Sequence, residues 1–398
     1  MPGPRGAAVT GVSRRERPLS EPQESDVSGR LIGIDASRAT RARRTGTEGY
    51  AYHLIRELIP LAERRGHGLR LYFNEAPDRG LFQLASHVER DTIPLARLWT
   101  HLRLGWELHQ HPPQVFFTPA HVIPLTYRGP AVATVHDLGF HFFPQAHTRL
   151  QGAYLRWSTR HNVRRSRQVL ADSQATKDDL VRLYDVPLEK VTVVYPGVDP
   201  ELAPQGDVED LARVQRRYGL EPPYLLYLGT LQPRKNLERL VEAYVQSGVS
   251  MQLVLAGNPG WLSDPLLRVI SEKVARARAR IRLTGYVAEE DKAALLSGAT
   301  ALLFPSLYEG FGFPILEAQV CGTAVLCAGN SSQPEVAGDA ALLVDARDTL
   351  SIAEGISRLA EHEGLREQLV QAGLANVRRF SWQRAAQQVM EVLEQCAA

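Results

Sequence analysis

Ala301-Leu-Leu-Phe304, followed closely by Leu307-Tyr-Glu-Gly-Phe-Gly-Phe-Pro-Ile-Leu-Glu-Ala318, is the stretch on which the reading of this chain turns. The first run is short, continuous and apolar, the pattern of a strand buried on both faces. The second carries two glycines around an aromatic ring. Its proline falls where a first helical turn would start, and a missing N–H costs nothing there. A strand that passes through a glycine turn into a helix is the unit of a parallel α/β sheet. Gly310 and Gly312 let backbone approach a ligand closely. Amides at the start of the helix would form an anion site. Glu309 and Glu317 flank the turn, and Glu317 is expected in the first helical turn, facing the same cleft.

The same grammar recurs along the chain. Strands are expected at Leu31–Asp35, Leu69–Phe73, Val115–Thr118, Ala131–Val135 and Gln168–Ala171. In the second half they are expected at Tyr224–Leu228, Gln252–Ala256, Ile281–Thr284 and Ala324–Leu326. Helical patterns fall near 50–65, 148–168, 236–247 and 381–396. This predicts an N-terminal domain at 30–200 and a second at 215–380, joined near Pro196–Pro222. A disordered tail is expected at 1–29, and a last helix at about 381–398 lies beyond the second sheet.

The 398 residues suit two domains. With 44% hydrophobic and 23% charged residues, a wholly disordered or fibrous protein is excluded. Cys321, Cys327 and Cys396 form no paired pattern, so neither a disulfide framework nor a structural zinc site is supported. No apolar run approaches the roughly 18 residues of a spanning helix, so a cytoplasmic protein is expected. The net charge of +2 divides into a basic first half and an acidic second half. That imbalance is too small to imply nucleic acid, and it suits a basic surface facing an anionic acceptor or membrane.

Glu-x7-Glu around Gly-Phe-Gly-Phe-Pro resembles the signature of the retaining nucleotide-sugar glycosyltransferases of family 4. The resemblance covers roughly residues 31–395. It implies the GT-B fold, an α/β architecture of two Rossmann-like parallel-sheet domains facing a central cleft, and it implies roles residue by residue. Gly229-Thr-Leu-Gln-Pro-Arg-Lys-Asn236 follows a strand, and Arg234 and Lys235 match the basic pair that holds the donor diphosphate. Departure of that group builds negative charge, which fixed cations stabilise. Many members carry an arginine after the first glycine; this chain has Thr230, so Arg234 must supply the guanidinium.

In the same resemblance Glu309 holds sugar hydroxyls and Glu317 the ribose hydroxyls. Amides around Gly310, Phe311, Gly312 and Phe313, with Pro314 opening the helix, meet the phosphates. Thr45-Gly-Thr-Glu-Gly-Tyr50 resembles the loop that closes over the phosphates through Gly46 and Gly49. It is not Gly-x-Gly-x-x-Gly, which counts against a dinucleotide dehydrogenase. Ala131-Val-Ala-Thr-Val-His-Asp137 puts His136 at the carboxyl end of a strand, where open α/β sheets bind ligands. The matching histidine of the family reaches the transferred sugar; Asp137 would either orient it or cap the next segment. Gly285-Tyr-Val287 places Val287 beside the base. Ala171-Asp-Ser173 with Lys177, Tyr195-Pro-Gly-Val-Asp199 and Ser331-Ser-Gln-Pro-Glu335 follow the family's order. Phe380-Ser-Trp382 opens the last helix, which in GT-B proteins crosses back to the first domain.

Arg149, Arg156, Arg160, Arg164 and Arg167 fall within roughly 80° of a helical wheel, with Trp157 at the edge. No acidic residue occurs from Leu138 to Ala171. Such a helix suits anionic lipid or a lipid-linked diphosphate acceptor; a merely solvated basic face is the competing reading. No Asp-x-Asp triplet exists to bridge a metal to diphosphate. His109-Gln-His111 lacks a third ligand and reads as a surface loop.

The expectation is a metal-independent, retaining hexosyltransferase without a cofactor. Glu309, His136, Arg234 and Lys235 would carry the reaction. The Gly229–Asn236 string and the Thr45–Tyr50 loop look most like the mannosyltransferase-like branch. GDP-mannose is therefore the first donor and a UDP-sugar the second, with a glycan, glycolipid or small-molecule acceptor. A nucleotide-sugar epimerase, a glycosidase and a non-catalytic sugar-nucleotide-binding subunit remain as alternatives.

Overall fold

The structure is a computed structural model of the chain. It describes residues 29–397 apart from 41–45, 79, 83, 84, 96, 97, 121, 147, 259, 261–267, 269–271 and 273–279. The tail expected at 1–29, but for Gly29, lies outside the described residues, as do Thr45 and part of the arginine-rich loop before it.

The first sheet comprises β1 (Leu31–Asp35), β2 (Gly68–Phe73), β3 (Val88–Thr92), β4 (Val115–Thr118), β5 (Ala131–Val135), β6 (Gln168–Ala171) and β7 (Val191–Val193). Its order is β3-β2-β1-β4-β5-β6-β7. The second comprises β8 (Tyr224–Leu228), β9 (Gln252–Ala256), β10 (Ile281–Gly285), β11 (Ala301–Phe304), β12 (Ala324–Ala328) and β13 (Leu342–Val344), in the order β10-β9-β8-β11-β12-β13. Every pairing is parallel. In each sheet the strand order reverses once, at β1/β4 and at β8/β11. A crevice opens beyond the carboxyl ends at such a point.

The central strands are unbroken apolar runs because helices cover both faces: every residue of β5, β8 and β11 is buried. Three strands have no counterpart in the sequence reading. β3 is Val-Glu-Arg-Asp-Thr, and β7 and β13 are three residues each. All three are edge strands, half solvated and short, so none leaves an apolar run to read.

Two boundaries also differ. The helix Gly46–Arg64 begins before Tyr50, which puts Gly46 and Gly49 in its first turn and not in a free loop. The segment expected as a linker contains the helix Val208–Tyr218, capped by Asp207 and ended by Gly219 at φ 66°. Its Val214 and Tyr218, with Leu202, are buried in the second domain's core.

The chain then crosses back. Phe380 packs in the second core and Trp382 in the first. The helix Trp382–Ala397 buries Ala386, Val389, Met390 and Leu393 in the same cluster as Leu54 and Leu58 of the helix Gly46–Arg64. Glu394 fixes it by accepting from Arg65 Nη1 at 2.7 Å and lying 2.9 Å from His67 Nε2.

Candidate active site

The turns after β8 and β11 are neighbours because their strands are. After β8, Gly229 has φ 147°, and so has Gly257 after β9. A Cβ on Gly257 would stand 2.0 Å from the Gly229 carbonyl oxygen, so the two turns touch backbone to backbone. Pro233–Lys235 forms a single tight helical turn that ends at Asn236, φ 64°. The Asn236 amide donates to the carbonyls of Pro305 (3.0 Å) and Ala346 (2.6 Å), and Leu307 N donates to Arg234 O at 2.9 Å. These bonds lock the basic pair against the end of β11.

The result is a clamp around one carboxylate. Arg234 Nη1 donates to Glu309 Oε2 at 2.8 Å, and Lys235 Nζ to Glu309 Oε1 at 2.6 Å. Glu309 is only 5% exposed. Its own loop is held from behind: Glu309 N donates to Ser331 Oγ at 3.1 Å, and the Ser332 hydroxyl reaches the carbonyls of Glu309 and Phe311. Burial alone would raise the Glu309 carboxyl; Arg234 and then Lys235 outweigh it and hold it down at about 2. Burial lowers Lys235 to about 8, with Glu309 opposing and the adjacent Arg234 adding to the fall. Arg234 stays above its ordinary value, because Glu309 and Asp137 outweigh its burial.

Asp137 belongs to the other domain, and the two domains meet here. A Cβ on Gly310 would lie 2.0 Å from the His136 carbonyl oxygen, so only glycine permits this approach. Gly310 O accepts from Ser173 Oγ at 2.6 Å and Thr176 Oγ1 at 3.2 Å. Tyr308 OH donates to Asp179 Oδ2 at 2.8 Å. Glu335 accepts from Gln174 N at 2.7 Å, Ala175 N at 3.2 Å and Tyr195 OH at 2.6 Å. A carboxylate thus sits on the amino end of the helix Gln174–Tyr184, where the dipole favours it. Phe313 packs against Gly46: a Cβ there would lie 3.5 Å from its ring.

His136 closes the first domain's side. Its Nδ1 lies 2.6 Å from Asp172 Oδ2 and its Nε2 lies 2.8 Å from Pro119 O. Burial disfavours the charged ring, but Asp172 outweighs it and raises His136 above its ordinary value. A cavity of about 440 Å³ opens between the domains, lined by His136, Asp137, Tyr154, Asn162, Arg38 and Arg234. A larger open groove, about 760 Å³, lies at the opposite end of the second sheet around Pro222, Thr300 and Ala324, away from this chemistry.

Residues 209–375 match the family model described as glycosyl transferases group 1, and residues 44–202 match that of glycosyltransferase family 4. The O-antigen chain mannosyltransferase B of Escherichia coli is 31% identical over 302 residues, covering 75% of this chain and 78% of that protein. The chain belongs to the family 4 glycosyltransferases. A D-inositol 3-phosphate glycosyltransferase of Xylanimonas cellulosilytica is 28% identical, with 99% and 98% covered. The sucrose-phosphate synthase of Thermosynechococcus elongatus superposes with a TM-score of 0.71 at 20% identity, covering 92% of this chain and 98% of that one. The two sheets and their facing ends are the GT-B fold, and this glycosyltransferase carries its clamp where those ends meet.

Glu317 lies in the second turn of the helix Phe313–Val320 and not in the first. The left-handed Gly312, φ 111°, starts that helix one residue before Phe313, which moves Glu317 further along it. Lys292 Nζ donates to it at 3.2 Å and to Glu289 at 2.7 Å. Pro314 has no N–H and Ile315 N donates to Gly312 O, so the amides left to face an anion lie within 310–313. Val287 is buried after β10, and the Thr230 carbonyl accepts from Tyr227 OH at 3.1 Å. His136 lines the cavity with both ring nitrogens engaged, so a sugar hydroxyl reaching Nε2 must replace the Pro119 carbonyl.

Of the arginine row, Arg149, Arg156, Arg160 and Arg164 are exposed on the helix Arg149–Arg165. Arg167 lies beyond that helix, and its Nη1 donates to Cys396 O at 2.7 Å. His109 is in the last turn of the helix Gly105–Gln110 and not in a loop, and His111, just after it, pairs with Glu107 at 2.7 Å. Among the described residues no group of three or more His, Cys, Asp or Glu is placed to hold a metal ion, and no helix is long and apolar enough to cross a membrane. The sequence reading missed Lys292 and the Tyr308–Asp179 bond, for which no local pattern exists. Asp172, Ser173 and Glu335 stood only in matched strings; pairing with His136 inside the first domain gives Asp172 its task, and contact across the domains gives Ser173 and Glu335 theirs.

Proposed function

We propose that this glycosyltransferase moves mannose from GDP-mannose, with retention and without metal, to a hydroxyl of a growing glycan or glycolipid on the cytoplasmic side. The observation that carries it is the Arg234–Glu309–Lys235 clamp: two fixed cations and one ionised carboxylate at the junction of the strand ends. Arg234 and Lys235 would take the diphosphate and stabilise the charge that builds as it leaves. Glu309, released from them, would hold hydroxyls of the transferred sugar. The leaving phosphate oxygen would accept the acceptor proton on the same face. Val287 and Glu317 would receive the nucleoside, Glu317 aimed by Lys292.

The names of the mannosyltransferase relatives support mannose as the sugar. The cavity on the first domain's side of Arg234 supports a second substrate, which an epimerase does not need. A glycosidase needs a carboxyl that is protonated near neutral pH; Glu309, held at about 2, does not supply it. Incubation of GDP-mannose with mannose-terminated oligosaccharides in chelator, with products read by NMR, tests the reading. An α-linked mannoside is expected. An inverted product, an isomerised donor or dependence on added metal would contradict it.

Lys235 holds a diphosphate only while charged. With Lys235 at about 8 in the free enzyme, kcat/KM for donor should fall as pH rises through about 8. Lys235→Arg should remove that limb; its persistence would assign it to another group. Glu317→Gln should weaken GDP about 10-fold, as expected for lost charged hydrogen bonds to the ribose. Inorganic pyrophosphate should bind that variant as it binds wild type. Equal weakening of both ligands would remove the ribose role.

A further inference from the structure

We propose that Asp172 is the positioning residue for His136: it holds the ring with both nitrogens donating, so that the first domain offers the transferred sugar a charged N–H donor and not a base. That His136 meets the sugar rests on the sugar-transfer reading; its protonation and its partner do not.

Pro119, His136 and Asp172 are the first residues beyond β4, β5 and β6, which lie side by side in the sheet. Parallel register brings Val135 level with Ala171, so the two residues that follow leave the sheet together. The His136 ring is thereby set between a carbonyl and a carboxylate. Its Nε2 lies 2.8 Å from Pro119 O and its Nδ1 2.6 Å from Asp172 Oδ2. The Tyr50 ring packs edge-on against it, centroids 4.7 Å apart at 79°. Behind the ring, Thr176 Oγ1 donates to the His136 carbonyl at 3.3 Å.

A carbonyl oxygen and an ionised carboxylate only accept. Each ring nitrogen that faces one must carry a proton, which makes His136 an imidazolium. Asp172 is 2% exposed, and its second oxygen, Oδ1, is buried with no hydrogen-bond partner among the described residues. A carboxylate so enclosed is costly unless a cation stands against it, and His136 is that cation. Asp137 had two roles open to it in the sequence, and it takes the cap: its Oδ1 accepts from Gly139 N at 2.9 Å. Burial works against the charge on His136. Asp172, the Pro119 carbonyl and Asp137 work for it, and His136 ends above its ordinary value. Tyr50 adds no charge, because burial pushes its hydroxyl well above its ordinary value. Arg38 and Arg234 are the cations of the same cavity lining.

A base needs a bare nitrogen, and His136 has none to offer. Its Nε2–H can leave the Pro119 carbonyl for a hydroxyl oxygen of the sugar, and a charged donor makes the stronger bond. The acceptor proton is left to the departing phosphate.

Nitrogen-15 NMR of the full chain, labelled in its histidine rings, tests this, with the His136 signals assigned by their loss in His136→Gln. At about pH 7.5, above the ordinary histidine value of 6.5, both His136 nitrogens should carry protons in the free wild type. In Asp172→Asn the amide can donate to Nδ1, so Nδ1 should be bare while Nε2 keeps its proton. That variant should lose about 10-fold in kcat with GDP-mannose. It should bind GDP, which carries no sugar, as wild type does. In the His136→Gln background the same change should cost no further turnover, whereas a merely structural loss would appear in both. A bare nitrogen on wild-type His136 at that pH would overturn the proposal and leave sugar transfer standing; an equal fall in both backgrounds would also overturn it. Wild type that transfers no mannose yet keeps both ring protons would count against the sugar-transfer reading and leave Asp172 its hold on His136.

Discussion

Glu309→Ala should abolish sugar transfer while tightening the hold on GDP. In the free enzyme Glu309 occupies both cations that the diphosphate would use, at 2.8 and 2.6 Å. Donor and carboxylate therefore compete for Arg234 and Lys235. Removing the carboxylate frees the pair for phosphate, so GDP affinity should rise. The same change removes the group proposed to hold the transferred sugar. Two charged hydrogen bonds at about 2 kcal/mol each correspond to roughly a 1,000-fold fall in kcat. A cost in stability accompanies it, because two crowded cations lose their buried counter-charge, worth about 3–5 kcal/mol. The unliganded variant should melt roughly 10 °C lower, and GDP should restore more of that than it adds to wild type.

The pH dependence follows from the depressed carboxyl. Glu309 contributes its stability fully above its unfolded value of 4.5 and loses it as pH falls toward about 2. Acid unfolding of the alanine variant should lack that component. Melting curves and titration with GDP decide the matter: a variant that binds GDP less well than wild type would show that Glu309 aids the diphosphate and does not compete with it.

Lys235→Ala should cost turnover and nucleotide together. Lys235 is 8% exposed, packed over the Phe304 ring at 4.8 Å, and has no room to be replaced by a neighbour. Losing one fixed charge aimed at a leaving group lowers kcat by roughly 100- to 1,000-fold. Arg234 remains paired with Glu309, so the fold should survive. Lys235→Arg should recover part of that turnover, because it restores the charge while its bulkier guanidinium fits less well where a compact ammonium stood. Wild-type turnover by the alanine variant would sink the phosphate role.

The centre of the fold was legible and its margins were not, for the same physical reason. Strands such as Tyr224–Leu228 and Ala301–Phe304 are buried on both faces and so are written in apolar residues alone. β3, at an edge, is written mostly in polar ones. Glu309, Arg234 and Lys235 were brought together on paper by the resemblance, and the structure gives the reason: each lies in the turn after a strand, and the two strands are neighbours. Lys292 could not, since it reaches Glu317 from a helix that carries no signature. Gly46 and Gly49 read as a loop because their string resembles the family's phosphate loop. They stand in the first turn of a helix, where Gly46 meets the Phe313 ring of the other domain. Residues 98–108 carry apolar side chains at helical spacing, and the sequence does not say which face packs. Leu104 and Leu108 turn inward while Leu102 and Trp106 turn out.

The central claim is that the clamp is a nucleoside-diphosphate site. Thermal unfolding of the whole chain in chelator, with GDP, UDP or ADP at about 100 times the dissociation constant, tests it most directly. A ligand confined to the folded state adds about 2.7 kcal/mol under those conditions, several degrees of melting temperature. The account predicts that GDP raises the wild-type midpoint and leaves Lys235→Ala nearly unmoved. A shift with UDP in its place would change the donor and keep the site. No shift with any of the three would contradict the account.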